Sequence, residues 1–191
     1  MCLWCNLIIL YSFDDFDNKV FHEVMFLTPV LGIQMRVEKG AYILLMRNRK
    51  EIRIRVGKLG YIDLPQGLYA YVGSALGPGG VLKRVCRHIR RIKKLKWHID
   101  YLTSNPSIEI LGVIIIKTHE KLECMLARFI FENFSLLAIK KFGATDCKCE
   151  SHLFLILNDI DKIVKSIQNK FNLDVFFVSS DKLAYLCTTL E

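Results

Sequence analysis

The stretch that most restricts the fold runs from residue 68 to residue 92, where the spacing of apolar side chains changes. LYAYVGS (68–74) has the composition of a strand, and side-chain alternation places Tyr69 and Tyr71 on one face of it. GPGG (77–80) then marks a turn. A strand, a tight turn and a helix in this order predict a protein that mixes β and α structure. The helix is indicated by apolar residues at helical spacing: Leu82, Val85, Ile89 and Ile92.

Apolar patterns elsewhere extend this arrangement. GAYILLMR (40–47) has the composition of a buried strand, and EIRIRVG (51–57) alternates as a half-buried strand does. We expect these two to pair as a hairpin across the polar NRK turn. The predicted fold class is therefore α/β (α+β), a small mixed, mainly antiparallel central sheet flanked by helices. Further strands are predicted at 108–118, 151–157 and 174–180, and further helices at 120–134 and 159–171.

The chain divides by composition into three parts. Residues 1–35 carry four acidic residues against a single Lys19 in an otherwise basic protein, and we predict an atypical extension that need not belong to the native domain. Residues 36–157 form the predicted domain, and 158–191 a helix-and-strand appendage. No apolar run reaches the length of a membrane span, and the N-terminus has no basic segment typical of a signal peptide. We therefore expect a cytoplasmic protein without a membrane partner.

Positive charge is concentrated in one segment. Between Val81 and Trp97 there are eight Lys or Arg residues and no acid, which equals the formal net charge of +8 for the whole chain. Such a local excess is typical of a surface that binds phosphates. A solvated helix face is the alternative. Arg84, His88 and Arg91 recur at the spacing of one helix face within this segment.

The seven cysteines leave two interpretations open. An odd number without an export signal favours reduced thiols over a disulfide framework. Cys147, Cys149 and His152 provide half of a zinc site, which would make the chain a zinc-stabilised interaction domain. We favour structural cysteines, because a closed zinc site needs four ligands.

Several motifs resemble the GIY-YIG nuclease superfamily. Gly40-Ala41-Tyr42 and Tyr71-Val72-Gly73 resemble its two signature tripeptides, and Arg84 with His88 resembles its Arg-xxx-His helix. Glu123 falls where that family has a metal-binding glutamate. The chain is most similar to the Uri-type branch, whose members are sometimes fused to endonuclease III-like proteins. That closer likeness covers YVGSALG (71–77), RHIRRIKKLKWHIDYL (87–102), Glu123-Cys124 and FGATDCKCESHLF (142–154) within a match from about residue 40 to residue 157.

The resemblance implies a metal-dependent endonuclease that hydrolyses phosphodiester bonds. Tyr42 or Tyr71 would be the base or would orient the attacking water, and Tyr69 competes because it shares a face with Tyr71. Arg84 would contact the scissile phosphate, and His88 would assist proton transfer or hold the phosphate. Glu123 would hold one Mg²⁺ or Mn²⁺ ion. Ala41 departs from the usual isoleucine, and the long gap between Tyr42 and Tyr71 leaves open which tyrosine acts.

Other residues near these motifs are expected to bind nucleic acid or to support the site. Trp97 can stack on a base or cover the core. We expect DNA rather than RNA as substrate, in a repair context and with a DNA-repair protein as partner. The alternative function is a catalytically weak or inactive nucleic-acid-binding module on the same scaffold. The backbone contacts are predicted at Arg87, Arg91, Lys93, Lys94 and Lys96, and the supporting residues at Tyr69, Ser74, His98, Asp100, Asp146 and His152.

Overall fold

A computed structural model describes residues 39–157 and 159–188, so the predicted extension over residues 1–35 lies outside the described residues. The strands are β1 Gly40–Asn48, β2 Ile52–Val56, β3 Gly60–Leu64, β4 Gly67–Ala75, β5 Ile108–Lys117, β6 Ser135–Ala138, β7 Leu153–Ile156 and β8 Val175–Ser179. The α-helices are α1 Gly80–Ile89, α2 His98–Thr103, α3 Glu123–Asn133, α4 Ile160–Phe171 and α5 Ser180–Thr188, and a short 3₁₀ turn covers Gly57–Leu59.

Six strands form one central sheet in the order β6-β7-β4-β1-β5-β8, and each described pairing is antiparallel. Helices flank this sheet, so the predicted fold class is confirmed. The predicted strands at 108–118, 151–157 and 174–180 and helices at 120–134 and 159–171 are present, with ends that differ by a few residues. β3, β6, α2 and α5 were not expected from the sequence.

The predicted hairpin between 40–47 and 51–57 is wrong. β1 pairs with β4 on one side and with β5 on the other, which leaves it no free edge for β2. β2 instead pairs with β3 in a separate two-stranded sheet, inserted between β1 and β4. The Asn48 side chain fixes this insertion, because its amide donates to the carbonyl oxygens of Leu64 and Pro65, each at 2.9 Å.

The central sheet is buried on both faces. Along β1, Tyr42 and Leu44 belong to one apolar cluster and Ile43 and Leu45 to the other, as strand alternation requires. The Tyr42 face is covered by α1, α2, α5 and the β2–β3 sheet, and the Ile43 face by α3 and α4. This is a layer of helices on each side of a sheet. Among the described helices, none is long and apolar enough to cross a membrane.

The basic helix is shorter than its apolar spacing predicted. α1 ends at Ile89, and Ile92 is 97% exposed, so Ile92 does not belong to the core. Arg91 therefore lies beyond the helix and does not share a helix face with Arg84. His88 is buried on the inner side of α1. Cys86 on α1 forms a disulfide with Cys187 on α5, so these two cysteines are not reduced thiols, contrary to the expectation from composition.

Candidate active site

A buried hydrogen bond between β1 and α1 lies at the centre of the site. The Tyr42 hydroxyl is 2.8 Å from Nε2 of His88, and each residue is 1% exposed. Gly73 on β4 stands opposite Tyr42 in the strand register, and a Cβ there would collide with the Tyr42 ring. The glycine of Tyr71-Val72-Gly73 therefore provides the space that the tyrosine of Gly40-Ala41-Tyr42 fills. The two tripeptides form one packing unit.

His88 is held between Tyr42 and a buried carboxylate. Nδ1 of His88 is 3.8 Å from Oδ1 of Asp100, beyond hydrogen-bonding distance, and it has no hydrogen-bond partner among the described residues. Burial lowers the pKa of His88 more than the nearby Asp100 carboxylate raises it. The imidazole is consequently neutral near pH 7, with Nε2 directed at the tyrosine.

Asp100 is fully buried and carries a dense set of hydrogen bonds. Arg87 donates to both of its oxygens, at 2.6 and 2.9 Å, and the backbone amides of Lys96 and Trp97 donate to Oδ2 at 2.8 Å. Burial alone would raise the pKa of this carboxyl, but the hydrogen bonds and the adjacent His88 hold it well below its usual range. Asp100 is therefore a fixed negative charge behind His88.

Tyr71 completes an aromatic group around His88. Its ring centre lies 6.4 Å from the rings of both Tyr42 and His88, and it is 8% exposed. Tyr42, Tyr69 and Tyr71 are all buried, because helices and loops cover that face of the sheet. Burial raises the pKa of Tyr42 and of Tyr71 well above the usual tyrosine value, so both phenols keep their protons at neutral pH.

Tyr69 shares this face but makes a separate contact. Its hydroxyl donates to the Pro65 carbonyl oxygen at 2.8 Å, at the opposite end of β4 from Gly73. Among Tyr42, Tyr69 and Tyr71, Tyr42 is the one whose hydroxyl is hydrogen-bonded to His88. The Tyr42 and Tyr69 hydroxyls therefore have different hydrogen-bond partners.

Arg84 lies between the buried aromatic group around His88 and a surface pocket. Its guanidinium donates to the Ser74 carbonyl oxygen at 2.5 Å and lies over the Trp97 ring, 4.7 Å from the ring centre. It is also close enough to Tyr42 to oppose the rise in that tyrosine's pKa. A surface pocket of about 210 Å³ opens beside it. Lys83, Arg84, Arg87 and Trp97 line the pocket together with the glycine turn before α1.

The predicted phosphate-binding residues differ in their surroundings. Lys94 and Lys96 are exposed, as expected. Lys93 is half-buried, and its ammonium donates to the His88 carbonyl oxygen and to Oγ1 of Thr103, both at 2.7 Å, while burial lowers its pKa to about 8. Arg91 donates to the Thr103 and Asn105 carbonyl oxygens. The hydrogen bonds of Arg91 attach the basic segment to the C-terminal end of α2.

Glu123 begins α3 at the edge of the same site. Its Oε1 is 3.1 Å from Nδ1 of His152, and its side chain is 32% exposed. Burial opposes the charged form of His152, but the Glu123 carboxylate outweighs it and raises the pKa of that imidazole. The charge of Glu123 also acts on Tyr42 and Tyr71, so the carboxylate lies near the aromatic group.

The remaining supporting candidates lie around this group. Nδ1 of His98 accepts a hydrogen bond from the Gly143 amide at 3.0 Å, and burial lowers the pKa of His98. The His98 ring packs on Phe142, which in turn contacts the edge of Tyr71. Asp146 is exposed, and its charge reaches Tyr71. Ser74 contributes its backbone carbonyl oxygen to Arg84.

Sequence reasoning missed one member of a side-chain cluster next to Glu123. Cys124 joins Cys147, Cys149 and His152, whose ligand atoms all lie within 4.8 Å of one another. The pairing of Arg87 with Asp100 was also missed. One signal was available for Asp100, because it is the third helical residue after Trp97, the position at which a carboxylate accepts hydrogen bonds from backbone amides at the start of a helix.

Comparison with protein families identifies a match over most of the described chain. A family model described as a domain of unknown function, DUF123, matches residues 41–173. No curated protein and no solved structure matches the chain. The matched region extends from β1 into the segment that follows α4 and includes Tyr42, His88, Asp100, Arg84 and Glu123.

Proposed function

The chain belongs to the DUF123 family, a domain of unknown function, and we propose that it is a metal-dependent endonuclease of the GIY-YIG, Uri type. Its substrate is nucleic acid, DNA rather than RNA, in a repair context. The observation that carries this proposal is the buried hydrogen bond between the Tyr42 hydroxyl and Nε2 of His88, with Arg84 beside it. A structural tyrosine does not need a neutral histidine backed by a buried carboxylate.

The raised pKa of Tyr42 argues against a free phenolate as the base. We assign the proton-accepting role to His88 through Tyr42. The Tyr42 oxygen takes a proton from the attacking water while its own proton moves to Nε2 of His88. The imidazolium then faces Asp100, whose fixed negative charge 3.8 Å away favours it. Atoms balance, because water loses one proton and His88 gains one.

Arg84 and the pocket beside it suit the phosphate. The Ser74 carbonyl oxygen and the Trp97 ring hold the guanidinium in one position, so little side-chain entropy is lost when a phosphate binds. The glycine turn and the first residues of α1 line the same pocket, where backbone amides and the helix dipole favour an anion. Lys94 and Lys96, exposed on the adjoining segment, add contacts to the phosphate backbone without sequence information.

Glu123 fits a hard divalent cation. One carboxylate oxygen bonds His152, and the side chain is 32% exposed, which leaves Oε2 and the surrounding water as ligands. A single carboxylate with several waters suits Mg²⁺ or Mn²⁺. Such an ion, when bound, stabilises negative charge on the leaving oxygen of the phosphodiester. The contact with His152 limits the rotation of the Glu123 carboxylate, which would hold the ion.

The decisive experiment compares Glu123→Ala with Glu132→Ala in a cleavage assay. Both glutamates lie on α3, but Glu132 pairs with Arg128 on the solvent side. Labelled duplex, single-stranded, branched and lesion-bearing DNA, and RNA, are incubated with Mg²⁺ or Mn²⁺. We expect metal-dependent cutting of DNA by wild type and Glu132→Ala, and its loss in Glu123→Ala with binding retained.

The same assay identifies the alternative. Salt-sensitive binding by all three proteins without cutting by any of them would overturn the nuclease proposal in favour of a nucleic-acid-binding module. Cutting of RNA alone would overturn the choice of DNA.

A further inference from the structure

Beside Glu123, three cysteines form a cluster with His152, the residue that contacts the Glu123 carboxylate. We propose that Cys124, Cys147, Cys149 and His152 hold one structural zinc ion. Sγ of Cys147 is 3.5 Å from Nε2 of His152, and all four ligand atoms lie within 4.8 Å of one another. Three thiols and one imidazole are the donor set of a closed zinc site.

The spacing of the ligand atoms agrees with tetrahedral coordination. Zinc–sulfur bonds of about 2.3 Å place neighbouring ligand atoms of a tetrahedron roughly 3.7 Å apart. The contact between Cys147 and His152, at 3.5 Å, is already close to that separation. All the separations in the cluster are within 4.8 Å, so side-chain adjustments are enough to close it around an ion. Hard cations such as Mg²⁺ are excluded, because they prefer oxygen ligands.

The four ligands come from parts of the chain that are distant in sequence. Cys124 is the second residue of α3, and the other three belong to the loop between β6 and β7. Backbone hydrogen bonds fix the base of that loop, from Lys141 N to the Glu150 carbonyl oxygen and from His152 N to the Phe142 carbonyl oxygen, both at 2.8 Å. Ala144 is the buried apolar side chain between residues 143 and 150. Metal ligation is the interaction that would hold the tip of this loop to the helix.

His152, the buried member of the cluster, already has the orientation that zinc binding requires. His152 is 2% exposed, and its Nδ1 lies 3.1 Å from the Glu123 carboxylate, so Nε2 points toward the thiols. With Nε2 on the metal, Nδ1 carries the hydrogen and donates it to Glu123. Zinc-bound histidines commonly donate to a carboxylate in this way.

This link gives the zinc a role beyond the loop. The ion fixes the His152 ring, and the ring fixes one oxygen of Glu123, the carboxylate assigned to the catalytic cation. His152 is thus a positioning residue for Glu123. That consequence depends on the proposed function, whereas the zinc site itself does not.

The test measures zinc in the purified full chain by elemental analysis. Cys2 and Cys5 have the spacing of metal ligands and lie outside the described residues, so the background carries Cys2→Ser and Cys5→Ser. We expect one zinc per chain in this background. Cys147→Ser and Cys149→Ser should each lose most of it. Cys187→Ser, which removes a cysteine from the disulfide, should retain it.

A spectroscopic readout covers variants that fold poorly. After zinc removal, the background protein is titrated with Co²⁺, and we expect thiolate-to-cobalt absorption and the intense visible bands of a tetrahedral site, which added zinc abolishes. Cys124→Ser should weaken the charge-transfer band.

Three results would overturn the proposal: less than stoichiometric zinc together with an octahedral Co²⁺ spectrum, an unchanged spectrum in Cys147→Ser, or a disulfide among the three cysteines in the protein as purified, before any metal is removed. None of them depends on cleavage, so failure of this site is distinguishable from failure of the nuclease proposal.

Discussion

Removing the Tyr42 hydroxyl is the most direct test of the proton path. Tyr42→Phe keeps the buried ring and deletes the atom that lies 2.8 Å from Nε2 of His88. Because Nδ1 of His88 already has no hydrogen-bond partner among the described residues, the variant leaves the whole imidazole unpaired in a buried position. An unsatisfied buried polar group costs about 1–3 kcal/mol, and we expect the upper part of that range. Loss of the proton relay should lower cleavage about 10²–10⁴-fold.

Tyr69→Phe is the matched control. Tyr69 is as buried as Tyr42, and its hydroxyl also makes one hydrogen bond, to the Pro65 carbonyl oxygen at 2.8 Å. This variant should lose roughly 1 kcal/mol of stability and keep its cleavage rate. Denaturant unfolding gives the stabilities, and single-turnover cleavage below the melting transition gives the rates. Equal cleavage by Tyr42→Phe and Tyr69→Phe would refute the assignment of Tyr42. A loss confined to Tyr69→Phe would transfer the role to that tyrosine.

Three further predictions concern charge. Burial lowers the pKa of His88 below its usual value of about 6.5, and His88 must be neutral to act as the base. The cleavage rate should therefore be flat above pH 7 and should fall only below about pH 6.5. A fall centred above pH 7 would exclude His88. Arg87→Ala should cost about 3–5 kcal/mol of unfolding free energy, since it leaves the fully buried Asp100 carboxylate without its cation. A change under about 1 kcal/mol in denaturant titrations would show that the backbone amides suffice. Lys94→Ala should leave stability unchanged and reduce the salt dependence of DNA binding by about one unit in the log–log slope, and an unchanged slope would place DNA elsewhere.

The sequence was informative where the controlling interactions are local. The alternation of apolar residues in 51–57 and their helical spacing in 159–171 each depend on packing against a single apolar surface. The strand and the helix that they predict, β2 and α4, are both present. Strand pairing is different, because the partner of β1 is chosen by length and burial across the whole sheet. β4 matches β1 over nine residues from Gly40–Ala75 to Asn48–Gly67, whereas β2 has only five. Proximity along the chain therefore indicated the wrong partner.

The sequence predicted which residues belong to the candidate site better than it predicted how deeply they are buried. Alternation placed Tyr69 and Tyr71 on one face, but it could not tell that α1 and α2 cover that face. The spacing of Arg84 and His88 suggested a common exposed helix face, yet the early end of α1 and the depth of Asp100 put His88 inside. Cys124 lies more than twenty residues before Cys147, so no short motif joins them. Only the packing of α3 on the loop before β7 brings them together.

The bond between Cys86 and Cys187 has a topological consequence. It closes a covalent ring with a sequence separation of 101, and that ring contains Asp100, Glu123 and His152 but neither Tyr42 nor Tyr71. A protease that cuts once inside the ring leaves a single covalent molecule until a reductant is added. The covalent path from the C-terminal helix α5 likewise passes directly from Cys187 to Cys86 on α1. The ring thus divides the site along the covalent chain: His88, the two carboxylates and His152 lie within it, and the tyrosines of β1 and β4 precede it.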